Sequence, residues 1–424
     1  MRSKFNPTLK LALSANLFEW YEFSLTAFMA LEIGRLFFPA GSDKTALMLS
    51  FSVFASSYLA RPLGGVFFGI LGNRHGAGVA LKFSMIGMAV PASLIAFLPT
   101  YRTSGYMATG LLLALKMLQG FCAGGEMPLS GYFVALNTGE RNRGLYCAFT
   151  VVSGFLGMLL ASGTVFALPY LVDASHRFAN PAVAGYGVEP WRWPFLLCTP
   201  LSILIYLLRS SINQDLTLQT RRSSHGKPTL PLFQAFVLVA FMEVVIYSIF
   251  VWMPSYLHSY VGVSSFNAHI SNVVSLAIFS ASMIVSGYVA RFINASSLVL
   301  CGVVSLVVVS YPLFEILQLD DISFLLFAQT VFAIPSGCMV GVIFVVLTDL
   351  FKQNWGSLGM AITYSFATAI FGGTAPIVCS YLIEVTHMIT APAIYISAIG
   401  LLAAPVAYSV SSVTHDAIQL RTSD

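Results

Sequence analysis

The feature that most constrains this 424-residue chain is the grouping of its apolar residues into twelve blocks, most of them roughly 20 to 30 residues long. An α-helix rises about 1.5 Å per residue, so a block of that length crosses a hydrocarbon core about 30 Å thick. In lipid only a helix or a closed barrel can satisfy its own backbone, and uninterrupted apolar blocks point to helices. The spans are 10–38, 45–72, 79–99, 105–136, 144–172, 191–210, 231–258, 266–290, 295–317, 321–350, 356–384 and 388–412. Several are longer than a perpendicular crossing needs, so they tilt or project beyond the lipid. Composition agrees: 57% of residues are hydrophobic and 9% charged, against about 25% charged in soluble domains. The fold class is an all-α membrane protein with twelve transmembrane helices.

Lys and Arg set the orientation, because they concentrate on the cytoplasmic side. With the N-terminus inside, most of the 21 Lys and Arg fall in cytoplasmic segments. Only Lys44, Arg102, Arg177 and Arg192 fall outside, while Arg35, Arg61 and Lys116 lie within spans. Both termini are therefore expected inside, in a bacterial inner membrane. The net charge of +4 follows from this topology and gives no reason to expect nucleic acid. Met1-Arg2-Ser3-Lys4 resembles a basic leader start, but the apolar stretch behind it is too long, contains acids and has no small-residue cleavage site. The first helix is expected to stay in place. Cys122, Cys147, Cys198, Cys301, Cys338 and Cys379 lie in or beside spans with no CxxC and no His pairing. They are expected to be core residues, with no disulfide, metal or cofactor.

The longest polar break, 211–230, divides the spans six and six. The expected organisation is an N-terminal six-helix bundle over 1–210, a cytoplasmic linker over 211–230, a C-terminal bundle over 231–412 and a tail over 413–424, with the bundles pseudo-symmetric. The external segment 173–190 is too short to be a domain. Gly65 with Gly69, and Gly120 with Gly124, are GxxxG pairs that let helix backbones approach closely.

Charge inside a span is costly, about 2.5–3.5 kcal/mol at the bilayer centre, so buried ionisable residues point to function. Glu19 and Glu22, in Glu19-Trp20-Tyr21-Glu22-Phe23, are three apart and share one helical face. They sit about 9 and 12 residues into the first span. For Glu19 and Glu22 three readings stand: a proton-coupling site, for which Glu22 is the better placed, a structural salt bridge and a substrate contact. The first is taken forward. Lys116 lies about 12 residues into the fourth span, at the same depth as Glu22. Such a pair can switch, since protonating Glu22 releases Lys116 to attract a substrate carboxylate. Glu126 lies ten residues further on, about 15 Å along the helix. Arg61, in the second span, is a candidate partner for Glu126 or Glu19; for Arg61 and Glu126 a substrate-binding role and a structural network both stand. In the second half, Glu243 is the counterpart of Glu22, with Tyr247, Phe250, Trp252 and Tyr256 around it. Aromatic faces suit a quaternary ammonium, and plain core packing is the competing reading. Gln329, Asn272 and Tyr364 are polar residues that would line the same cavity. Glu32, Arg35 and Glu315 lie nearer span ends and can snorkel.

These motifs resemble the major facilitator superfamily and, within it, the metabolite:proton symporters, the group of the proline/betaine, citrate, α-ketoglutarate and shikimate transporters. Glu19-Trp20-Tyr21-Glu22-Phe23 is similar to the group's first-helix signature. Arg61-Pro62-Leu63-Gly64-Gly65, running on through Gly69 to Gly72, is similar to its second-helix run. Gln119-Gly120 with Gly124-Gly125-Glu126 resembles the fourth-helix motif, and Glu140-Arg141-Asn142-Arg143-Gly144 the loop after it. Trp191-Arg192-Trp193-Pro194-Phe195 resembles the start of helix six and Gly372-Gly373-Thr374-Ala375-Pro376 helix eleven. The resemblance implies a twelve-helix fold with a central cavity, alternating access, and uptake of a small polar or carboxylated solute with protons. It makes Glu22 the protonatable acid and Lys116 its basic partner.

The chain departs from the pattern in the loop after helix two. The group reads Gly-x-x-Gly-Asp-Arg-x-Gly-Arg/Lys there. This chain has Asn73 in place of the acid, then Arg74, and Ala77 in place of the second base. The acid helps latch the inner gate, so its loss is expected to weaken the latch and favour an inward-open state. Asn73, Arg74, Glu140, Arg141 and Arg143 are the expected gating residues. Pro128 lies mid-helix and frees a carbonyl. The tail past 412 has no heptad repeat, so no coiled coil is expected.

The leading expectation is a proton-coupled importer that works in the lipid bilayer as a monomer. Two alternatives stay open: a transporter of a larger polycarboxylate such as a citrate-based siderophore, in either direction, and a non-transporting sensor on the same fold. The chain is not expected to be an enzyme. It lacks a nucleophile–base arrangement, metal-ligand spacing and a phosphate loop.

Overall fold

The computed structural model describes residues 7–14, 16–39, 43–178, 189–210, 229–319, 321–351 and 355–422. Most of the expected linker (211–228) and part of the expected external segment (179–188) lie outside the described residues. Among the described residues all regular structure is helical. The chain divides into two compact units, Met1–Met127 with Ser153–Thr217, and Pro128–Val152 with Leu218–Asp424.

The first unit is built from α1 (Pro7–Ser14), α2 (Leu17–Phe28), α3 (Ala30–Phe37), α4 (Asp43–His75), α5 (Ala77–Ile95) and α6 (Tyr101–Ser104), together with most of α7 (Tyr106–Asn137) and α8 (Glu140–Phe178), then α9 (Arg192–Leu196) and α10 (Cys198–Ser210). Both α7 and α8 continue into the second unit, and α7 remains helical through Pro128, where the units divide. The first expected span is thus three helical pieces. At the first break the Asn16 amide donates to Ser153 Oγ of α8 at 3.2 Å, which satisfies a backbone group that a continuous helix would have bonded internally.

Aromatic contacts and glycines fix the packing around α2. Phe23 meets Phe54 and Tyr58 of α4 at 4.4 and 4.9 Å between ring centroids, and Trp20 stacks on Phe155 of α8 at 5.5 Å. The α7 backbone lies directly on α4: a Cβ at Gly120 would collide with the Ser57 carbonyl, and one at Gly124 with the Arg61 carbonyl. The expected small-residue pair at 120 and 124 is therefore a packing seam. Both chains rise in number along it, so α4 and α7 run parallel. By contrast, Phe23 faces 54 and 58 while Glu19 faces 61, so α2 runs antiparallel to both. At the far end of α5, Arg192 donates to the carbonyls of Ala96 and Leu98 at 2.6 and 2.8 Å and is held by Glu189 at 2.8 Å.

The second unit adds α11 (Thr229–Val245), a π-helical turn π1 (Ile246–Val251), α12 (Met253–Tyr256), a second π turn π2 (Leu257–Val261), α13 (Ser265–Val289), α14 (Ala295–Ile316), α15 (Ile322–Val340), α16 (Ile343–Phe351), α17 (Gly356–Ala367), π3 (Thr368–Gly372), α18 (Ala375–Thr386) and α19 (Ala391–Thr422). α13 packs along α15, α14 along both α15 and α19, and α11 along α17 and α19. Three helices start where a short polar side chain accepts a free amide: Ser264 from Asn267, Asn294 from Ser296 and Asp321 from Ser323.

Ten helices among the described residues are long and apolar enough to cross a membrane. They correspond to ten of the twelve expected spans. The other two, 10–38 and 191–210, are the spans divided into α1–α3 and α9–α10. Large apolar side chains such as Leu59, Phe97, Phe292 and Leu401 are exposed, as a lipid-facing surface requires.

Candidate functional site

In the first unit, the two α2 carboxylates each meet a cation from a different helix. Lys116 Nζ of α7 donates to Glu22 Oε1, and both side chains are almost wholly buried. Arg61 Nη2 of α4 lies 3.1 Å from Glu19 Oε1, again with both side chains buried. The Arg61 guanidinium also sits 4.6 Å from the Tyr58 ring centroid and 5.0 Å from that of Phe23, a contact that favours a cation over an aromatic face. Of the two carboxylates offered to Arg61 by the sequence, Glu19 forms an ion pair with it. Glu126 is fully buried, with Ser84 Oγ 3.0 Å from its Oε2 and 2.9 Å from the Cys122 carbonyl.

In the second unit, Glu243 is buried at the end of α11, just before π1. Thr368 Oγ1, the first residue of π3, donates to Glu243 Oε1 at 2.7 Å. A Cβ at Gly372 would come within 3.0 Å of Glu243 Oε2 and of the Tyr247 ring, so the absent side chain lets both groups lie against π3. Trp252 packs on Tyr256 and Tyr260 at 5.1 and 6.0 Å, and Tyr256 is fully buried. Gln329 Nε2 donates to Ser271 Oγ at 2.9 Å, while Gln329 Oε1 and Asn272 Oδ1 are buried without hydrogen bonds. Tyr364 stacks on Phe344 at 5.9 Å. The aromatic cluster and the Gln329 group are built on different helices.

The five expected gating residues behave differently from one another. Arg143 makes a forked ion pair with Asp349, at 2.8 and 3.1 Å, and reaches the Val345 carbonyl at 3.4 Å. Its neighbour Asn142 accepts from Arg291 Nη2 at 2.8 Å. Asn73 is half-buried, and Arg74, Glu140 and Arg141 are exposed.

The sequence model of the Major Facilitator Superfamily matches residues 11–376. The chain belongs to that superfamily. As a facilitator-superfamily transporter it has the twelve-helix fold, is a multi-pass membrane protein and is not an enzyme. It is 30% identical to the ectoine/proline transporter ProP of Corynebacterium glutamicum over 414 residues, covering 93% of this chain and 81% of that protein. It is 28% identical to the alpha-ketoglutarate permease of Escherichia coli over 375 residues, covering 86% of this chain and 84% of the permease. Among solved structures, the proton:xylose symporter XylE bound to 6-bromo-6-deoxy-D-glucose superposes with a TM-score of 0.77 at 16% identity, covering 95% of this chain and 94% of XylE. That likeness concerns the fold.

Three residues of this facilitator's polar framework were not singled out by the sequence reading. Asp349 is an acid at a span end, and the signal was the unmatched basic charge at 141 and 143. Thr368 looked like any small residue in an apolar span. Gln119 was visible only as part of a motif, yet it is 3% exposed, and both its Nε2 and its Oε1 lack hydrogen-bond partners.

Proposed function

We propose that this chain is a proton-coupled importer that takes up a small zwitterionic or carboxylated solute by alternating access. The observation that carries the reading is the buried Glu22–Lys116 pair. While Glu22 is ionised it holds the Lys116 ammonium. A proton on Glu22 removes the attraction and frees the ammonium for a solute carboxylate. Proton and solute then favour each other's binding, and the linkage is reciprocal. For a zwitterion, each proton moved inward carries one net charge, and the membrane potential contributes about 2.3 kcal/mol per charge per 100 mV. That sustains a solute gradient of well over tenfold.

The relatives support the solute class, since one is named for ectoine and proline and another for alpha-ketoglutarate. In this reading Glu19 and Arg61 hold α2 and α4 in register beside the switching pair. Glu126 anchors α7 to α5, and Glu243, Tyr247, Trp252, Gln329 and Tyr364 offer an acid, aromatic faces and an amide to the rest of the solute. Arg143 with Asp349 forms the latch of the inner gate. The bacterial relatives support a bacterial inner membrane, and the Lys and Arg asymmetry supports both termini being cytoplasmic.

The test is a thermal-shift screen of the purified protein against betaines, amino acids, di- and tricarboxylates and citrate-type siderophores at pH 5.5 and 7.5, followed by uptake in proteoliposomes. A stabilising solute should accumulate under an inward proton gradient. Glu22→Gln should abolish that accumulation while leaving exchange of the same solute. Concentrative uptake by Glu22→Gln at the wild-type level would refute the coupling role.

A further inference from the structure

We infer that Gln119 is a solute-binding group that selects carboxylates carrying an adjacent N–H or O–H donor over fully methylated ones. This rests on the reading that Lys116 receives the solute carboxylate.

A buried amide normally finds partners for its N–H groups and its carbonyl. Gln119 finds none at either end while 97% of its surface is shielded. Exchanging the two ends of the amide changes nothing, because both are unpartnered. The residue is three positions beyond Lys116 on α7, hence on the same helical face. Because α2 runs antiparallel to α7, moving from Lys116 to Gln119 is moving from the level of Glu22 toward that of Glu19. The amide therefore stands on the face between two ion pairs, Glu22–Lys116 and Glu19–Arg61. The next residue, Gly120, seats α7 on the Ser57 carbonyl of α4, which fixes the height of Gln119 against that helix.

The chemistry of the vacant amide defines what completes it. Its NH2 needs an acceptor and its carbonyl needs a donor. A solute carboxylate drawn to Lys116 presents an oxygen to the NH2. A protonated amine or hydroxyl next to that carboxylate supplies the hydrogen for the carbonyl. A trimethylammonium group supplies the charge but no hydrogen, so the Gln119 carbonyl stays buried and unpaired in that complex. A site built to hydrogen-bond a group discriminates against the analogue that lacks it.

The probes are N,N-dimethylglycine and glycine betaine, which differ by one methyl in place of the N–H. The wild-type full-length protein in proteoliposomes should show a half-saturating concentration for dimethylglycine at least roughly tenfold below that for betaine. In Gln119→Leu the preference should shrink to about twofold or less, mainly through weaker dimethylglycine binding. The ligand-free Leu variant should unfold at the same or a higher temperature than wild type, since an unpaired buried amide is replaced by an apolar group. Gln119→Met, close in length and shape, should repeat both results. The inference is overturned if wild type shows no preference, if both variants keep it, or if both unfold at lower temperature without ligand, which would make the amide structural. Should neither probe be taken up by wild type, the inference falls together with the zwitterionic part of the proposed solute class. An unchanged preference in the variants, with uptake still lost in Glu22→Gln, removes only the role of Gln119.

Discussion

Arg61 and Lys116 are each shared between helices that are distant in sequence, and each leaves a carboxylate stranded if it is removed. Breaking a buried ion pair from one side costs about 3–5 kcal/mol, whereas replacing both partners with apolar groups is often close to neutral. Arg61→Leu should therefore lower stability by roughly that amount, and Glu19→Leu/Arg61→Leu should recover most of it in detergent unfolding. Lys116→Ala should weaken anionic solutes more than neutral ones in competition binding. Equal losses would make Lys116 a structural cation. The depth match of Glu22 with Lys116 was legible because each lies about 12 residues into its span. The partner of Arg61 was not: whether Arg61 reaches Glu19 or Glu126 depends on the relative shift of α2, α4 and α7, which one sequence does not encode locally. Asp349 was overlooked for the same reason, since its meaning lies in Arg143, 206 residues away.

At the level of helices, the seam between α4 and α7 makes a sharp prediction. Gly124→Leu has no room at the Arg61 carbonyl, so α7 must move off α4, with a penalty of about 1–3 kcal/mol or more from overpacking. Because Arg61 is on that seam, the same variant should disturb its pair with Glu19, and uptake should fall along with the unfolding temperature. The expectation that losing the acid at Asn73 weakens the latch meets a second feature: α8 is tied to α16 by Arg143–Asp349 and to Arg291 through Asn142. Asp349 is half-exposed, so this pair is worth about 1 kcal/mol or less. Arg143→Asp should raise cysteine labelling of nearby positions, and Arg143→Asp/Asp349→Arg should lower it again. The GxxxG seam was legible from spacing alone. The three π turns were not, because helices that are apolar on every side carry no phase from which an inserted residue could be noticed.

For the whole molecule, the fold class followed from block length and charge distribution, since lipid leaves the chain few ways to satisfy its backbone. What composition concealed was the division of the first span into three pieces and the passage of α7 and α8 between compact units. The pairing of α2 with later helices also bears on how the protein is made. Glu19 and Glu22 leave the ribosome well before Arg61 and longer still before Lys116. A lone first segment thus enters the bilayer with two uncompensated charges, each costing about 2.5–3.5 kcal/mol on insertion scales. It should remain poorly inserted, waiting at the insertion machinery until the fourth segment arrives with the second cation. Stalled chains ending near residue 43 should be largely accessible to protease, and chains ending after residue 137 protected. Glu19→Leu/Glu22→Leu should protect the shorter chain too. Residues that serve transport in the finished protein would then also set the order in which its first helices are assembled.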